Sequence, residues 1–370
     1  MATAIRIEAL PARLGDCLLV ECLREGGRPW RMLVDGGPPD TWPRLEARLA
    51  ALPAADPGID VAVVTHIDSD HIGGMIPFLR SEFAHTHVGD VWFNGRCHLP
   101  DPNRGPVRSV KQGEDLTAEL TGVPVRPNAD PRPGRALPWN LTFGGGPIQT
   151  GDEGGHRTVA VDDGPTITVL SPTTKRLAIL APLWDDALRA VTRGSEGIAV
   201  PDSPAPLDDL VRLAAPDTAR DRSAPNGSSI ALLVEHRGAS VLLAGDAFGN
   251  VLGAGLVGLA AARGTAAVPV DVFKLPHHGS RGNVLAALVE RAPARHYVVS
   301  SNGDVFHHPD DAALARVVLG MPAGATLWFN YANERTRRWD DPRLRDRHDY
   351  GTRYPIDDSA GAVLELAARP

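Results

Sequence analysis

The amino-acid sequence predicts a layered α/β fold, in which buried strands alternate with helices. Short apolar runs that are typical of strands recur along the chain, and segments with helical spacing of apolar residues separate several of them. Several of these runs stop directly on polar clusters, and layered α/β proteins commonly place their sites at the carboxyl ends of strands. The 38 glycines and 33 prolines favour many turns and long loops over a helical bundle.

The chain begins with a predicted meander of three strands, in the segments AIRIEAL, DCLLVECL and RMLVDGG, with REGGRP as a hairpin connection. The next segment, DTWPRLEARLAAL, predicts a helix because Leu45, Leu49 and Leu52 recur at helical intervals. DVAVVTH follows as a continuous apolar strand, which we expect to be buried on both faces. This strand ends on a cluster of histidines and aspartates.

The rest of the chain repeats the pattern of a strand that stops on polar residues. TITVLSP predicts a strand, LAILAPLWDDALRAV a helix, and SSIALLVEHRGASVLLAGD two strands joined by a turn at Arg237 and Gly238. Further strands are expected in VDVFKLPHHGS, HYVVSSNGD, GATLWFN and GAVLELA. Residues 98–165 carry weaker signals around one helical piece, SVKQGEDLTAELTG, and we interpret them as an insertion. Residues 199–227, rich in proline and aspartate, predict a long loop or lid.

The composition is typical of a soluble folded protein, with 43% hydrophobic and 22% charged residues in a chain of 370. The net charge of −7 argues against a broad basic face for long nucleic acid, but not against a small phosphorylated substrate or a nucleic-acid end held by metal ions. Cys17, Cys22 and Cys97 match neither a disulfide framework nor a zinc knuckle, so a reducing, cytoplasmic location is the simplest interpretation. No secretory signal is evident, and Arg263 interrupts the best membrane-span candidate, at 251–270.

The densest polar cluster is the segment THIDSDHIGG, which contains His66, Asp68, Asp70 and His71 in the pattern H-x-D-x-D-H. Ionisable groups this close raise one another's cost of ionisation unless a cation neutralises them. Helix capping by Asp68 or Asp70 would explain one aspartate and leave the other three residues of the cluster unexplained. The pattern therefore predicts a metal centre.

Two further polar groups follow apolar runs in the same way. Asp246 ends the segment LLAGD, and His277 with His278 ends KLPHHG. Each signal is weak alone, because an aspartate after a strand is more often a turn residue. Their occurrence in this order after the first cluster strengthens the prediction of one metal centre built from distant strands.

These motifs resemble, in type and order, those of the metallo-β-lactamase fold superfamily, and most closely those of the hydrolase domain of ComEC-type DNA-uptake proteins. The resemblance spans residues 5–365 and implies a four-layer αββα sandwich, with two mixed β-sheets packed together and helices outside, as a single domain over residues 1–370. The motifs that carry it are LVDGG (Asp35), THIDSDHIGG, NGSSIALLV (Asn226, Ser228, Ser229), LLAGD (Asp246), LPHHGS and SSNGDVFHHP (Asn302, His307, His308).

The resemblance implies two divalent metal positions. His66 and Asp68 would serve the first, Asp70 and His71 the second, with Asp246 between them. One of His277 and His278 would complete the second position, and we favour His277.

The first metal position has an open question. The superfamily commonly has a further histidine between the second and fourth motifs, where this chain has DRSAPNGSS. Asn226 or Asp221 could supply an oxygen there, and occupancy by a single metal remains an alternative. Carboxylate in place of imidazole makes the site harder, so we expect manganese or zinc.

The implied activity is metal-dependent hydrolysis of a phosphodiester, with a nuclease acting on DNA or RNA as the leading case. Two cations roughly 3.5–4 Å apart can hold a hydroxide as nucleophile and stabilise the leaving oxygen. Asp70 or Asp246 would orient that hydroxide, and His308 would contact a phosphate or protonate the leaving group. The further predicted substrate contacts are Lys274, Asn226, Ser229, Asn302 and His307; the simpler interpretation of Lys274 is a solvated strand residue.

Two other functions remain open. The first is hydrolysis of a lactone, thioester or β-lactam, which the acidic net charge supports and the oxygen-rich ligand set weakens. The second is a regulatory module with a degenerate metal site, which would bind a protein partner through residues 98–165 and 199–227. The charged segment 333–349 could form an edge that binds a nucleic-acid strand through Arg335, Arg337, Arg338 and Trp339, although a solvated loop is the simpler interpretation. Without the membrane channel of ComEC-type proteins, we do not expect DNA transport.

Overall fold

The computed structural model describes residues 2–100, 111–122, 136–151, 155–184, 204, 206–215, 220–357 and 359–369. In chain order its strands are β1 (Thr3–Ala9), β2 (Leu18–Cys22), β3 (Trp30–Val34), β4 (Ile59–Val63), β5 (Val88–Trp92), β6 (Arg157–Ala160), β7 (Thr166–Ser171), β8 (Ala231–His236), β9 (Ala239–Leu243), β10 (Val270–Lys274), β11 (Ala294–Val299), β12 (Ala325–Phe329), β13 (Tyr350–Arg353) and β14 (Ala362–Ala367). Its α-helices are α1 (Trp42–Ala50), α2 (Ser69–Ile72), α3 (Met75–Arg80), α4 (Glu82–His87), α5 (Lys111–Thr121), α6 (Thr174–Leu180), α7 (Leu210–Ala214), α8 (Ala224–Gly227), α9 (Gly249–Ala262), α10 (Ala286–Arg291), α11 (Asp311–Gly320), α12 (Glu334–Arg337) and α13 (Pro342–His348).

The strands form two mixed sheets. The first has six strands in the order β14-β1-β2-β3-β4-β5, and the second has eight in the order β13-β12-β11-β10-β9-β8-β7-β6. Strands β14 to β3 pair antiparallel, whereas β3, β4 and β5 pair parallel. In the second sheet, β6 to β9 pair antiparallel and β9 to β13 pair parallel. Each sheet therefore contributes a group of parallel strands to the fold.

Three apolar clusters separate four layers. One lies between the sheets, where Met32 of β3 belongs to the same cluster as Leu232 of β8. The second covers the outer face of the first sheet, where Leu33 is clustered with Leu45 of α1. The third joins the outer face of the second sheet to α9, α10 and α11. Met32 and Leu33 enter different clusters because consecutive strand residues point to opposite faces. The predicted αββα sandwich is confirmed.

The parallel strands bring the polar clusters to one edge of the molecule. Polar residues follow the carboxyl ends of β3 and β4 in the first sheet, and of β9, β10 and β11 in the second. Side chains from the two groups of strand ends touch, since His71, after β4, lies 3.3 Å from Asp246, after β9. The candidate site therefore lies where the two sheets meet.

The strands predicted from apolar runs are confirmed, from β1 to β4, β7 to β12, and β14. Three strands were not predicted, β5, β6 and β13. Strand β6 is largely exposed and carries no continuous apolar run, and β13 follows directly on the charged segment. These strands form because a neighbouring strand is available for pairing, which a local sequence window does not contain.

The charged segment 333–349 is not a solvated loop. It contains α12 and α13, and Trp339 between them is fully buried in the cluster on the second sheet. The alternative that Trp339 stacks on a nucleic-acid strand is therefore wrong. The buried Trp339 side chain attaches the segment to the apolar cluster on the second sheet, which the many charged residues around it did not indicate in the sequence.

The two irregular segments are only partly described. Within 98–165, α5 packs against α3, and β6 belongs to the second sheet. Within 199–227, α7 packs against α11, and α8 precedes β8. Residues 101–110, 123–135, 152–154, 199–203, 205 and 216–219 lie outside the described residues. The insertion and its boundaries remain a prediction.

Membrane crossing finds no support in the helices that the structure describes. None of them is long and apolar enough to traverse a bilayer. The apolar candidate at 251–270 lies mainly in α9, whose apolar residues pack against the second sheet.

The inter-sheet cluster predicts a large effect of truncation. Leu232 is 1% exposed and Leu319, on α11, is 41% exposed. We expect Leu232→Ala to lower the free energy of unfolding by about 2–5 kcal/mol, because it removes buried methyl groups and leaves a cavity. Leu319→Ala should change it by less than about 0.5 kcal/mol. Urea denaturation of the two variants measures both free energies of unfolding. Equal losses in the two variants would contradict the assignment of Leu232 to the inter-sheet cluster.

Candidate metal centre

The segment after β4 forms a tight turn that directs several polar side chains into one volume. Asp68 precedes α2, but its side chain makes no capping hydrogen bond with the helix. The capping interpretation of Asp68 is therefore wrong. His66 and His71 are both buried, and their ring centroids lie 4.3 Å apart.

Asp35, after β3, orients both of these histidines. Its Oδ2 lies 2.8 Å from His71 Nδ1 and accepts the hydroxyl hydrogen of Thr65 at 2.7 Å. Because the Thr65 hydroxyl donates to Asp35, its oxygen accepts from His66 Nδ1 at 3.0 Å. With Nδ1 of each ring engaged in this way, Nε2 of each ring faces the cluster.

Asp246 lies at the centre of the cluster, 2% exposed, with its two oxygens facing different groups. Oδ1 lies 3.3 Å from His71 Nε2 and 3.6 Å from His278 Nε2. Oδ2 lies 3.9 Å from His66 Nε2 and 3.7 Å from His277 Nε2. One carboxylate is therefore shared by two sets of potential ligands.

The first donor group consists of His66 and His277, which face Asp246 Oδ2, together with Asp68, which lies beside His66. His66 Nε2 lies 3.5 Å from Asp68 Oδ2. The second donor group consists of Asp70, His71 and His278 around Asp246 Oδ1. Asp70 Oδ2 lies 3.4 Å from His278 Nε2, and ligand atoms of Asp70, His71 and His278 all lie within 4.8 Å of one another.

The structure places the two adjacent histidines in different groups. His278, and not the favoured His277, lies with Asp70 and His71. His277 and His278 both adopt left-handed backbone conformations, with φ of 49° and 55°. These conformations are costly for residues with a Cβ, and such strain is concentrated at functional sites. The strained turn lets neighbouring residues present their rings to opposite oxygens of Asp246.

Several buried atoms in the cluster lack a hydrogen-bond partner. His66 Nε2 and Asp246 Oδ1 are fully buried and unpaired, as is Asn226 Oδ1. His71 Nε2 and His278 Nε2 face each other at 3.2 Å, although each ring already directs Nδ1 to an oxygen. Buried polar atoms are nearly always satisfied, and a cation among these residues would satisfy them. The nitrogen and oxygen donors fit divalent cations.

The electrostatics of the cluster favour positive charge. Burial lowers the pKa of His71, but Asp246, Asp70 and Asp35 together raise it well above its ordinary value. The pKa of His277 is about 9, because Asp246 and Asp221 outweigh the effect of burial. Burial raises the pKa of Asp246, yet His71, His277 and His278 bring it well below its usual range. The carboxylates are thus held ionised among groups that stabilise a cation.

Asp221 and Asn283 hold His277 from outside the cluster. Asp221 Oδ2 lies 3.2 Å from His277 Nδ1 and accepts from Asn226 Nδ2 at 2.7 Å. Asn283 Oδ1 lies 3.1 Å from the same His277 nitrogen. Asn226 Nδ2 also lies 3.4 Å from it, so Asn226 borders the first donor group without an observed place in it.

The remaining predicted residues occupy different places. His308 packs edge-on against His277, with ring centroids 5.2 Å apart. Ser229 Oγ accepts the backbone N–H of Asp246 at 3.0 Å, and therefore lies behind the cluster. Asn302 and His307 bond within the loop after β11, to Asp304 and to the carbonyl of Gly303.

Lys274 lies in neither predicted environment. It is fully buried, and its ammonium donates to Asp16 at 2.7 Å. It is therefore neither a solvated strand residue nor exposed to a substrate. Sequence reasoning missed Asp16 and Asn283, because their only local signal is a polar residue beside a turn.

The comparisons with known proteins agree with the fold. A family model described as the metallo-beta-lactamase superfamily matches residues 11–165, which include the H-x-D-x-D-H segment. The two-sheet architecture is consistent with the metallo-β-lactamase sandwich. No curated protein matches the chain.

Two solved structures show limited similarity. One is CmlA, a diiron beta-hydroxylase from Streptomyces venezuelae, with 14% sequence identity, a TM-score of 0.38, and coverage of 99% of this chain and 55% of that chain. The other is a mutant of the same hydroxylase, with 14% identity, a TM-score of 0.38 and coverage of 99% and 54%. This chain spans about half the length of these proteins. The comparisons give no support to the closer resemblance to ComEC-type proteins.

The shared carboxylate predicts the metal content. We expect the wild-type protein to hold up to two divalent ions per chain, and Asp246→Asn to lose most of them, because both donor groups depend on this side chain. Elemental analysis after dialysis measures the content. Asp346→Asn, on the exposed face of α13, is the matched control and should retain wild-type metal. Full metal content in Asp246→Asn would contradict the arrangement.

Proposed function

We propose that this protein is a metal-dependent hydrolase of phosphodiester bonds, and a nuclease in particular. The observation that carries the proposal is the position of Asp246, whose two oxygens face separate groups of nitrogen and oxygen donors. Two adjacent cation positions suit in-line displacement at phosphorus, in which the attacking and leaving oxygens both need stabilisation. The three aspartates among the donors suit hard cations, so manganese stands beside zinc as the candidate.

The donor groups define which residues would hold the ions. His66, Asp68, His277 and one oxygen of Asp246 would hold the first, and Asp70, His71, His278 and the other oxygen would hold the second. When bound, the ions supply Lewis acidity and activate a water molecule. The role of the chain is to fix these donors through partners outside the group, such as Asp35 for His71 and Asp221 for His277.

His308 is the proposed hydrogen-bond donor to the leaving oxygen. Burial and the neighbouring His277 and His278 hold its pKa well below the usual value, so the ring is neutral and carries one N–H. Its Nδ1 is buried without a hydrogen-bond partner, 3.6 Å from Asp310. A neutral imidazole is too weak an acid to give up this proton, but its N–H beside His277 can donate a hydrogen bond to the leaving oxygen as negative charge develops there.

Hydrolysis of a carboxylic ester, thioester or β-lactam is the second candidate. The net charge of −7 favours it, because a polyanionic substrate gains no long-range attraction from such a protein. The same cations can polarise a carbonyl oxygen. The regulatory module is the third candidate, and it requires that the donor groups hold no metal.

A substrate panel tests the proposed reaction. With manganese or zinc present, we expect cleavage of a phosphodiester such as bis(p-nitrophenyl) phosphate and of short DNA or RNA. We expect Asp70→Ala to lose that cleavage together with metal. A lactone, a thioester and a β-lactam complete the panel. Cleavage of one of these without any phosphodiester would replace the proposal with the second candidate, and a wild-type protein that takes up no metal would favour the third.

Leaving-group dependence tests the role of His308. We expect His308→Phe to lower kcat on a dinucleotide by about 10²–10³-fold, because an alkoxide leaving group needs a hydrogen-bond donor to its developing charge. The loss should be much smaller on bis(p-nitrophenyl) phosphate, whose phenolate leaves without one. Metal content should stay unchanged, and His296→Phe, against Trp328, is the control. Equal losses of kcat on both substrates would exclude a hydrogen bond from His308 to the leaving oxygen.

A further inference from the structure

A buried ion pair lies directly behind the second donor group. Lys274, the last residue of β10, donates from Nζ to Asp16 Oδ2 at 2.7 Å, with side-chain exposures of 0% and 1%. Asp16 belongs to the loop that precedes β2 of the first sheet, whereas β10 belongs to the second. The pair therefore connects the two sheets beside the candidate site.

A contribution to folding stability is a weak explanation for a buried ion pair of this kind. The cost of desolvating two charges often exceeds their attraction, and apolar replacements of a buried pair are often neutral or stabilising. Lys274 also donates to the carbonyl of Leu275 at 3.0 Å, and the carbonyl of Asp16 accepts the N–H of Gly37 at 2.7 Å. These bonds hold the Lys274 side chain and the Asp16 backbone in one arrangement, which indicates a role that depends on position.

The free oxygen of Asp16 faces the ring of His278. Asp16 Oδ1 lies 3.3 Å from His278 Nδ1, while the Nδ1–H itself is directed to the carbonyl of Ser300 at 2.9 Å. A carbonyl only accepts, so Nδ1 carries the hydrogen and Nε2 is left for the second donor group. Metal-binding histidines commonly have such an outer partner, which fixes the tautomer and the ring orientation.

The loop that contains Asp16 also contacts the rest of the second donor group. Gly15 packs against the backbone of Asp70 so closely that an added Cβ would lie 1.8 Å from the Asp70 carbonyl oxygen. The Ser300 hydroxyl donates to the Gly15 carbonyl at 2.8 Å. One loop therefore touches Asp70, the ring of His278 and the residue whose carbonyl holds that ring.

We infer that Asp16 and Lys274 are positioning residues that fix the ring of His278 for the cation of the second donor group. Asp16 restrains the Nδ1 side of the ring, and Lys274 holds Asp16 and neutralises it. The layer behind His278 thus adds no net negative charge to a group that already contains Asp70 and Asp246. The inference rests on the proposed function only in requiring that the second donor group binds a cation.

The decisive variant removes both charges of the pair. Asp16→Asn with Lys274→Met leaves no unpaired buried charge, so the double variant should fold with a Tm close to that of the wild type. Titration with Co²⁺ then measures affinity, and the visible absorption of the bound ion reports its surroundings. We expect binding to the second group to weaken about 10–100-fold, the effect typical of losing an outer partner of a ligand. The absorption spectrum of that ion should also change.

Two further variants of the chain test whether the change in Co²⁺ binding is specific to the second donor group. Asp70→Asn, which alters the second donor group directly, identifies which Co²⁺ binding step belongs to that group. Arg31→Met with Glu21→Gln removes a different buried ion pair, with N and O 2.9 Å apart, between β2 and β3. That control should leave Co²⁺ affinity and absorption unchanged, whatever its effect on Tm.

The outcomes separate the inference from the proposed function. Wild-type affinity and absorption in the Asp16 and Lys274 double variant would overturn the inference and reduce the pair to a structural contact. If that variant does not fold, Asp16→Glu, which keeps both charges but displaces the carboxylate, should weaken Co²⁺ binding, and unchanged binding overturns the inference. A wild-type protein that binds Co²⁺ tightly but cleaves no phosphodiester would remove the proposed function and leave the inference standing on the affinity data. Absence of Co²⁺ binding in the wild type would overturn the inference.

Discussion

The structure depends on the concentration of buried carboxylates where the two sheets meet. Asp16, Asp35 and Asp246 are almost completely buried, and Asp70 is largely so. Burying ionised carboxylates is costly unless each finds hydrogen bonds and opposite charge. In this protein the compensation comes from imidazoles and from one buried ammonium, and the unpaired atoms would in addition fit cations. The surrounding loops follow from the need to supply these partners.

The compensation is organised in two layers. The inner layer consists of the donor atoms that face Asp246, and the outer layer consists of the groups that hold the rings. His66 is held by Thr65, His71 by Asp35, His277 by Asp221, and His278 by the carbonyl of Ser300. Because each of these four imidazoles has its Nδ1 engaged, their four Nε2 atoms are available at the centre. The donors are thus oriented before any ligand arrives, which lowers the reorganisation that binding requires.

The two-sheet architecture explains why each of these imidazole rings has a partner in the outer layer. Parallel strands end at the same edge of their sheet, and the inter-sheet apolar cluster brings the two edges together. Loops after strands of the first sheet supply Asp35, His66 and His71, and those of the second supply Asp246, His277 and His278. The pair of Asp16 and Lys274 crosses between the sheets at the same place. The fold therefore places acids and imidazoles from distant parts of the chain within a few ångströms.

The sequence by itself determined the layered α/β class, most of the strands and the main members of the cluster. Apolar runs of strand length report burial, and each candidate ligand follows such a run within a few residues, so both signals are local. The spacing in THIDSDHIGG also made a metal centre the simplest explanation of four ionisable groups on one turn.

Only the tertiary structure decided which donor group each of these residues joins and which partner orients it. His277 and His278 are adjacent in the chain, and their left-handed backbone sends their rings to opposite oxygens of Asp246, which no spacing rule reveals. Lys274 has the sequence surroundings of an ordinary strand end, yet its partner Asp16 lies 258 residues away. The partners of a buried charge come from wherever the fold places a complementary group. For that reason the ligand types were readable from local patterns, whereas their grouping and their outer partners were set by packing between the sheets.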